Sequence, residues 1–230
     1  MPPSTALHTI GFYCGRHGSG LFDEPQNSLS NAAFLIGALL AYRVWRRSPG
    51  PDAFILVLVV MLAAIGVGSF VFHSYPTPVT LYIDLIPIQV YILAVLAYAL
   101  NRILRCSGTT TGLVLVGFFF ARQAWILLVP QGLLGGGITH VPTLLALLLF
   151  VVILARRGLL VWRYLVASVV CYLGALTVRS WDVPLCDTFP IGLHWAWHAL
   201  TALAATLVLL GLIRSAPAGA VRPNRVGNGF

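Results

Sequence analysis

The chain has 230 residues, of which 59% are hydrophobic and 9% are charged, and its mean hydropathy is +0.91. A soluble globular domain carries charge on about a quarter of its residues, so this composition excludes one and indicates a membrane protein. The net charge of +8 comes from 14 arginines without any lysine, which excludes mechanisms that need a lysine Schiff base. Because the arginines are scattered over short loops, we expect no nucleic-acid partner.

Apolar stretches between polar residues, prolines and glycines predict an all-α integral membrane protein with a seven-helix bundle. The predicted spans cover residues 28–45, 53–73, 81–100, 111–129, 139–155, 160–178 and 191–213. Residues 1–27 are then an N-terminal segment outside the cytoplasm, residues 28–213 the transmembrane domain, and residues 214–230 a disordered cytoplasmic tail. The first 21 residues lack an apolar core, so we expect no signal peptide there.

The arginines predict the orientation of these helices. Basic residues follow the first, third, fifth and seventh spans, whereas the intervening loops hold almost none. Basic loops remain on the cytoplasmic side of a membrane. This pattern predicts that the N-terminus lies outside and the C-terminus inside, which requires an odd number of spans. The basic groups are Arg46 with Arg47, Arg102 with Arg105, Arg156 with Arg157, and the tail residues Arg214, Arg222 and Arg225.

Polar side chains are rare within the predicted spans. An ionisable group at mid-membrane costs roughly 2.5 to 3.5 kcal/mol on insertion scales, so each one needs a partner or a function. The polar residues that need such an explanation are Ser69, His73, Asp84, Arg122, His140, His194 and His198.

His194 and His198 are four residues apart at the start of the last span. This spacing places two imidazoles on one helix face, where both can reach one metal ion. The alternative is a pair of headgroup-level histidines within an aromatic belt formed with Trp195 and Trp197.

Ser69 and His73 repeat the same spacing at the end of the second span. The alternative for this segment is a packing face, on which Gly66 and Gly68 let another helix approach.

The predicted topology places His73, Asp84, His194 and His198 at one depth near the outer surface. Three imidazoles are a suitable ligand set for a catalytic zinc ion, with a fourth position left for water. Asp84 could then accept a proton from that water, and Ser69 could hold the water or a developing oxyanion. The alternative for Asp84 is a helix cap or a solvent-facing residue.

Taken together, these motifs resemble those of the alkaline ceramidases, in the superfamily that also contains the adiponectin and progestin receptors. The resemblance rests on Ser69-x3-His73, on Asp84 followed by Pro87, and on the segment from Phe189 to His198. Glu24 to Asn31 is also similar to the Glu-x-x-Asn-Thr-x-Ser-Asn segment before the family's first span. The resemblance implies a seven-helix zinc amidase that cleaves the N-acyl bond of ceramide. In such an enzyme His73, His194 and His198 would be the zinc ligands, and Ser69 and Asp84 would lie beside the metal-bound water.

The resemblance also bears on calcium. Family members with a calcium site carry an Asp-Trp-Cys-Glu run, which is replaced here by the segment from Phe12 to His17. Only Glu24 remains of the expected carboxylates, and Arg16 is nearby, so we do not expect Ca²⁺ to bind. We expect Glu24 and Asn27 instead to hold the N-terminal segment at the mouth of the bundle through hydrogen bonds.

Cys14 and Cys186 are both predicted on the outer face, where an oxidising compartment permits a disulfide. The resemblance implies that they pair, and the alternative is two free thiols.

Three further polar features are ascribed less specific roles. One interpretation of Arg122 is a contact to a lipid headgroup or to a carboxylate product. The other is a structural residue, whose side chain either extends toward the membrane surface or pairs within the bundle. His140 is interpreted as an interfacial histidine, and Trp181 and Asp182 are placed in an outer loop at the entrance.

The sequence thus predicts a membrane-embedded zinc hydrolase whose partner is an amide-linked membrane lipid, with a zinc-containing receptor of low hydrolytic activity as the alternative. A transporter would be expected to show inverted repeats, which the two halves of the sequence lack. Arginine usage without lysine favours a bacterial inner membrane, with the site toward the periplasm.

Overall fold

A computed structural model describes residues 13–16, 23–130 and 132–215. Within these ranges the chain is helical and contains no strand, and seven helices are long and apolar enough to cross a membrane. The protein is therefore a multi-pass membrane protein. The predictions of a missing signal peptide and of a disordered tail fall largely or wholly outside the described residues.

The first span consists of a short helix α1 (Pro25–Ser30) followed by α2 (Ala32–Arg46), and the second span is α3 (Ala53–Ser74). The third comprises α4 (Pro78–Tyr98) and a π-helical turn (Ala99–Ile103), and the fourth is α5 (Gly108–Leu128). A kinked, glycine-rich loop with short 3₁₀ turns (Leu133–His140) leads into α6 (Val141–Arg156). The last two spans are α7 (Val161–Asp182) and α8 (His194–Ser215).

Several helix boundaries differ from the predicted ones, and at the starts of α4 and α5 polar capping residues extend the helix. Helix α4 begins at Pro78 rather than at residue 81, since Thr77 and Thr80 form a reciprocal capping box. Helix α5 begins at Gly108 because Ser107 accepts a hydrogen bond from the Thr110 amide. Helix α7 continues to Asp182, four residues past its predicted end.

The best-buried part of the bundle lies between α2, α3 and α8. Helix α5 contributes little to this buried core, since Thr111 is its only buried residue. Its exposed apolar side chains suit contact with lipid rather than with protein. Side chains that are fully shielded at the centre of the bundle include Ala41, Leu58, Leu62 and Leu209.

Two glycines of α3 bring neighbouring backbones into close contact. A Cβ atom on Gly66 would lie 2.9 Å from the Phe34 Cβ. A Cβ atom on Gly68 would collide with the carbonyl oxygen of Ile83 and lie 3.4 Å from the Asp84 Cα. The packing interpretation of these glycines is therefore correct, and it is compatible with a functional role for Ser69 and His73. Gly68 brings α4, and with it Asp84, against the α3 turn that carries Ser69.

The arginine-rich helix ends meet at one end of the bundle. There the Trp45 indole donates a hydrogen bond to the Asp52 carbonyl oxygen over 2.8 Å, Arg102 lies 4.0 Å from the Asp52 carboxylate, and Arg214 bonds to the Tyr164 hydroxyl. The histidines and the disulfide lie near the other ends of the same helices. Which end faces the cytoplasm stays a prediction from the arginine pattern.

Candidate metal centre

Three histidines from two helices meet near one end of the bundle. His73 is the penultimate residue of α3, whereas His194 and His198 occupy the first turns of α8. Their ring centroids are 4.6 to 5.1 Å apart, and one nitrogen from each ring lies within 4.8 Å of the others. All three side chains are buried, with 1 to 3% exposure. This cluster could hold a metal ion, as the four-residue spacing and the topology predicted.

Hydrogen bonds at Nδ1 orient two of the three rings. The His73 Nδ1 lies 3.0 Å from a carboxylate oxygen of Glu24, and the His198 Nδ1 lies 2.8 Å from the Ser30 hydroxyl. Such partners fix the tautomer and direction of metal-binding imidazoles and leave Nε2 as the ligand atom.

His194 differs from the other two because its Nδ1 is buried without a hydrogen-bond partner. Its ring stacks on Tyr13, with the centroids 3.8 Å apart and the planes inclined by 24°. A buried polar nitrogen without a partner is costly, and coordination of an ion is one way to satisfy it. Three imidazoles, one of them with an orphaned nitrogen, make a donor set that suits zinc and other divalent ions that imidazole binds.

Glu24 connects the cluster to the N-terminal segment. It accepts a hydrogen bond of 2.6 Å from the Asn27 side chain and forms an ion pair with Arg16. Arg16 also donates to the His73 carbonyl oxygen over 3.3 Å. Burial raises the pKa of the Glu24 carboxyl, while Asn27 and Arg16 act in the opposite direction. Protein groups thus occupy both carboxylate oxygens, which leaves little capacity to ligate a calcium ion.

Asp84 lies two turns into α4 and lines the same cavity as the three histidines. Its side chain is 8% exposed, and its Oδ1 has no hydrogen-bond partner. Ser69, one turn before His73, lines the same cavity, and the contact of Gly68 with the Asp84 backbone brings the two helices together here. The interpretation of Asp84 as a cap or a solvent-facing residue is wrong, because Thr77 caps this helix and Asp84 faces the cavity.

The placement of Asp182 in an outer loop is also wrong. Asp182 is the last residue of α7 and is 2% exposed. Its Oδ1 accepts hydrogen bonds from the amides of Leu193 (2.6 Å) and His194 (3.0 Å), and its Oδ2 accepts one from the Cys14 amide (3.2 Å). A carboxylate at a helix N-terminus satisfies amides that have no partner within the helix. Asp182 therefore fixes the start of α8, where the first histidine of the pair stands.

A disulfide joins Cys14 to Cys186 and holds the N-terminal segment over the loop before α8. Gly192 adjoins this connection with a φ of +69°, and a Cβ atom there would lie 2.8 Å from the Cys14 Cβ. The close approach and the left-handed backbone both require glycine. The bridge brings Tyr13 onto His194 and Arg16 beside Glu24.

The three clustered histidines and Asp84 are among the polar groups that line a cavity of about 250 Å³. The rest of its lining is largely apolar and extends along α4, α6, α7 and α8, with side chains such as Ile88, Phe150, Leu165 and Leu212. An apolar cavity with a few convergent polar groups is typical of a small-molecule site.

His140 is more than an isolated interfacial histidine. Its Nδ1 lies 3.0 Å from the Tyr172 hydroxyl, its ring packs 4.7 Å from that of Trp197, and it lines the cavity. It is not part of the three-histidine cluster. Arg122 is half-buried on α5, bonds to Gln123 and is not among the residues that line the cavity.

No protein-family model matches the sequence, and no curated protein matches it significantly. The family resemblance therefore rests on the motifs themselves.

Sequence reasoning missed four residues of the site: Tyr13, Ser30, Arg179 and the capping role of Asp182. The position of Tyr13 could have been predicted to lie near the site, because Tyr13 directly precedes Cys14, a cysteine of the expected disulfide. Ser30 contacts His198, 168 positions away, and Asp182 caps α8 across the loop that joins two helices, which no local pattern reveals. Arg179 carried the same sequence signal as any basic residue at a helix end.

Proposed function

We propose that the protein is a zinc-dependent membrane amidase resembling the alkaline ceramidases, which hydrolyses the N-acyl bond of ceramide or a similar amide-linked lipid. One observation carries this proposal. Three buried imidazoles share the polar part of an apolar cavity with the buried carboxylate of Asp84, whose Oδ1 lacks a partner.

His73, His194 and His198 would hold the ion, with Glu24 and Ser30 keeping two of the rings in place. When bound, zinc supplies Lewis-acid polarisation and activates water at neutral pH. Proton transfer and the orientation of the reacting groups would be carried out by side chains of the cavity wall.

Asp84 is the proposed acid–base catalyst. Hydrolysis forms a bond from a water oxygen to the amide carbonyl carbon, breaks the C–N bond and delivers a proton from the water to the departing nitrogen. An ionised carboxylate can accept that proton and return it to the nitrogen, provided that both reacting atoms are within hydrogen-bonding distance. Ser69 is placed to orient the water or to donate a hydrogen bond to the carbonyl oxygen as it gains charge.

The apolar lining suits an amide that carries a long acyl chain. Burial of each CH₂ group contributes about 0.8 kcal/mol to binding, so chain length would govern affinity. The amide must lie beside Asp84, and the chain would extend along the apolar walls formed by α4, α6 and α8. The products would be a fatty acid and an amine, and the arginine pattern favours the outer or periplasmic membrane surface for this chemistry.

The test combines metal analysis with turnover. Purified protein in detergent should contain about one zinc per chain and should release fatty acid from a C12 N-acyl lipid such as N-dodecanoylsphingosine. A matched preparation of His73→Ala controls for contaminating hydrolases and should release none above background. Zinc-loaded protein that cleaves no N-acyl lipid would overturn the enzymatic proposal and favour the receptor alternative.

A further inference from the structure

Arg179 is a cationic residue in the cavity wall that the proposed chemistry does not use. It stands in the last turn of α7, on the face that looks into the cavity near the histidines. Its Nε is buried and lacks a hydrogen-bond partner. No carboxylate of the described residues lies within ion-pair distance of its guanidinium.

Aromatic rings hold the guanidinium in place. Its central carbon lies 4.9 Å from the Trp197 ring centroid and 5.8 Å from that of Tyr13. Both rings also line the cavity beside it. The glycine-rich loop before α6 packs against the same residue, since a Cβ atom on Gly137 would lie 3.6 Å from the Arg179 Cδ. These contacts fix the position of the cation, but all of them are made by uncharged groups.

Neither nearby carboxylate forms an ion pair with Arg179. Asp182 accepts three backbone amide hydrogen bonds. Asp84 is a carboxylate of the same cavity, but it lies beyond ion-pair distance of the guanidinium, and the proposed reaction requires it as the acid–base catalyst. A cation that no carboxylate contacts directly is incompletely compensated in a low-dielectric cavity. The guanidinium therefore remains available to pair with an anionic ligand.

We propose that Arg179 forms a carboxylate-binding subsite beside the histidine cluster, which recognises the carboxylate of a single-chain lipid. A planar guanidinium binds a carboxylate through two parallel hydrogen bonds. The apolar walls of the same cavity accommodate the chain. This inference rests on the proposed function and adds a ligand class to it. The carboxylate can belong to the substrate of amide hydrolysis or to the fatty acid that hydrolysis releases.

The first source is an N-acyl amino acid, in which one carbon separates the amide nitrogen from the carboxylate. The second is the fatty acid that hydrolysis releases. The carboxylate of the first lies one carbon from the reacting nitrogen, and that of the second is formed from the amide carbonyl itself, so both lie close to the reacting atoms. The position of Arg179 is compatible with that, because the Tyr13 ring beside the guanidinium also stacks at 3.8 Å on His194.

The test is equilibrium binding of three probes with the same C12 chain: N-dodecanoylglycine, dodecanoic acid and the neutral N-dodecanoylethanolamine. Full-length zinc-loaded protein carries Asp84→Asn in every arm, so that turnover does not consume a probe. Binding is compared for this background alone and with Arg179→Gln, Arg179→Lys or Arg122→Gln added. Zinc content is measured for each preparation, and affinities are compared at equal occupancy.

We expect at least one acid to bind roughly 10 to 100 times more tightly than the neutral amide, and Arg179→Gln to remove that preference. Arg179→Lys should retain part of it as a point charge, and Arg122→Gln should retain all of it, since Arg122 does not line the cavity. Preference for N-dodecanoylglycine alone would assign the carboxylate to the substrate, and preference for dodecanoic acid alone would assign it to the product.

Equal binding of all three probes by the background protein would overturn the inference, as would an acid preference that survives Arg179→Gln. The first of these outcomes needs no variant at Arg179, so the inference remains falsifiable if that variant does not fold. Because binding is measured without turnover, the subsite can fail while amide hydrolysis holds, and the reverse also applies.

Discussion

Replacing His194 with alanine should reduce the zinc content of the purified protein from about one ion per chain to nearly none. The variant removes one of only three imidazoles in the cluster, and no cysteine or further histidine of the described residues belongs to it. Loss of the ion should also abolish amide hydrolysis, by at least about a thousandfold, since several kcal/mol of transition-state stabilisation are lost. Elemental analysis of the protein peak after gel filtration measures the zinc directly.

His140→Ala is the matched control for this variant. It removes an imidazole that lines the same cavity but bonds to Tyr172 and lies outside the cluster. Zinc content should therefore remain at the parent value. If His194→Ala keeps its zinc while His140→Ala loses it, the ligand set has been assigned incorrectly.

Asp84→Asn should leave zinc in place and slow hydrolysis by about 10² to 10⁴. An amide has nearly the shape of the carboxylate but cannot accept the proton that has to move from water to the leaving nitrogen. Asp84 does not belong to the three-histidine cluster, so the variant should keep its metal content and show a lower kcat. Single-turnover rates with a fluorescent C12 amide, normalised to zinc, provide the measurement.

Asp52→Asn controls for the loss of a carboxylate elsewhere. Asp52 caps α3 at the arginine-rich end of the bundle, and asparagine is an equally good cap, so activity should not change. An Asp84→Asn protein that retains full kcat would exclude Asp84 as the acid–base catalyst.

The parts of the site that sequence could predict are those set by helical periodicity and by chain direction. The spacing of His194 and His198 fixes a shared face locally, and the alternation of spans brings His73 to the same depth. Both predictions hold in the structure, which joins the three rings in one cluster. Seven spans were also predictable, because each is a long apolar stretch with polar punctuation.

The remaining features depend on contacts between residues far apart in the chain. The sequence predicts a loop position for Asp182 because polar residues near the end of an apolar stretch are taken to mark the end of the span. In the structure it extends α7 and caps α8, a role that only the packing of these two helices creates. Arg179 could not be distinguished by sequence from a surface arginine, since its special environment comes from Tyr13 and Trp197.

Gly68 shows why two interpretations of one segment need not compete. Its missing side chain lets α4 approach, as a packing motif predicts, and that approach carries Asp84 to Ser69. The packing motif thus helps to assemble the candidate site.

Zinc K-edge X-ray absorption of the purified protein tests the shared metal centre most directly. Three imidazoles predict a first shell of three nitrogens with one further light ligand, at about 2.0 to 2.1 Å, together with the multiple-scattering signature of histidine. The amplitude of that signature should correspond to three imidazoles in the parent and should be preserved in His140→Ala. A spectrum with sulfur ligands, with fewer than two imidazoles, or from protein that binds no zinc would contradict the account.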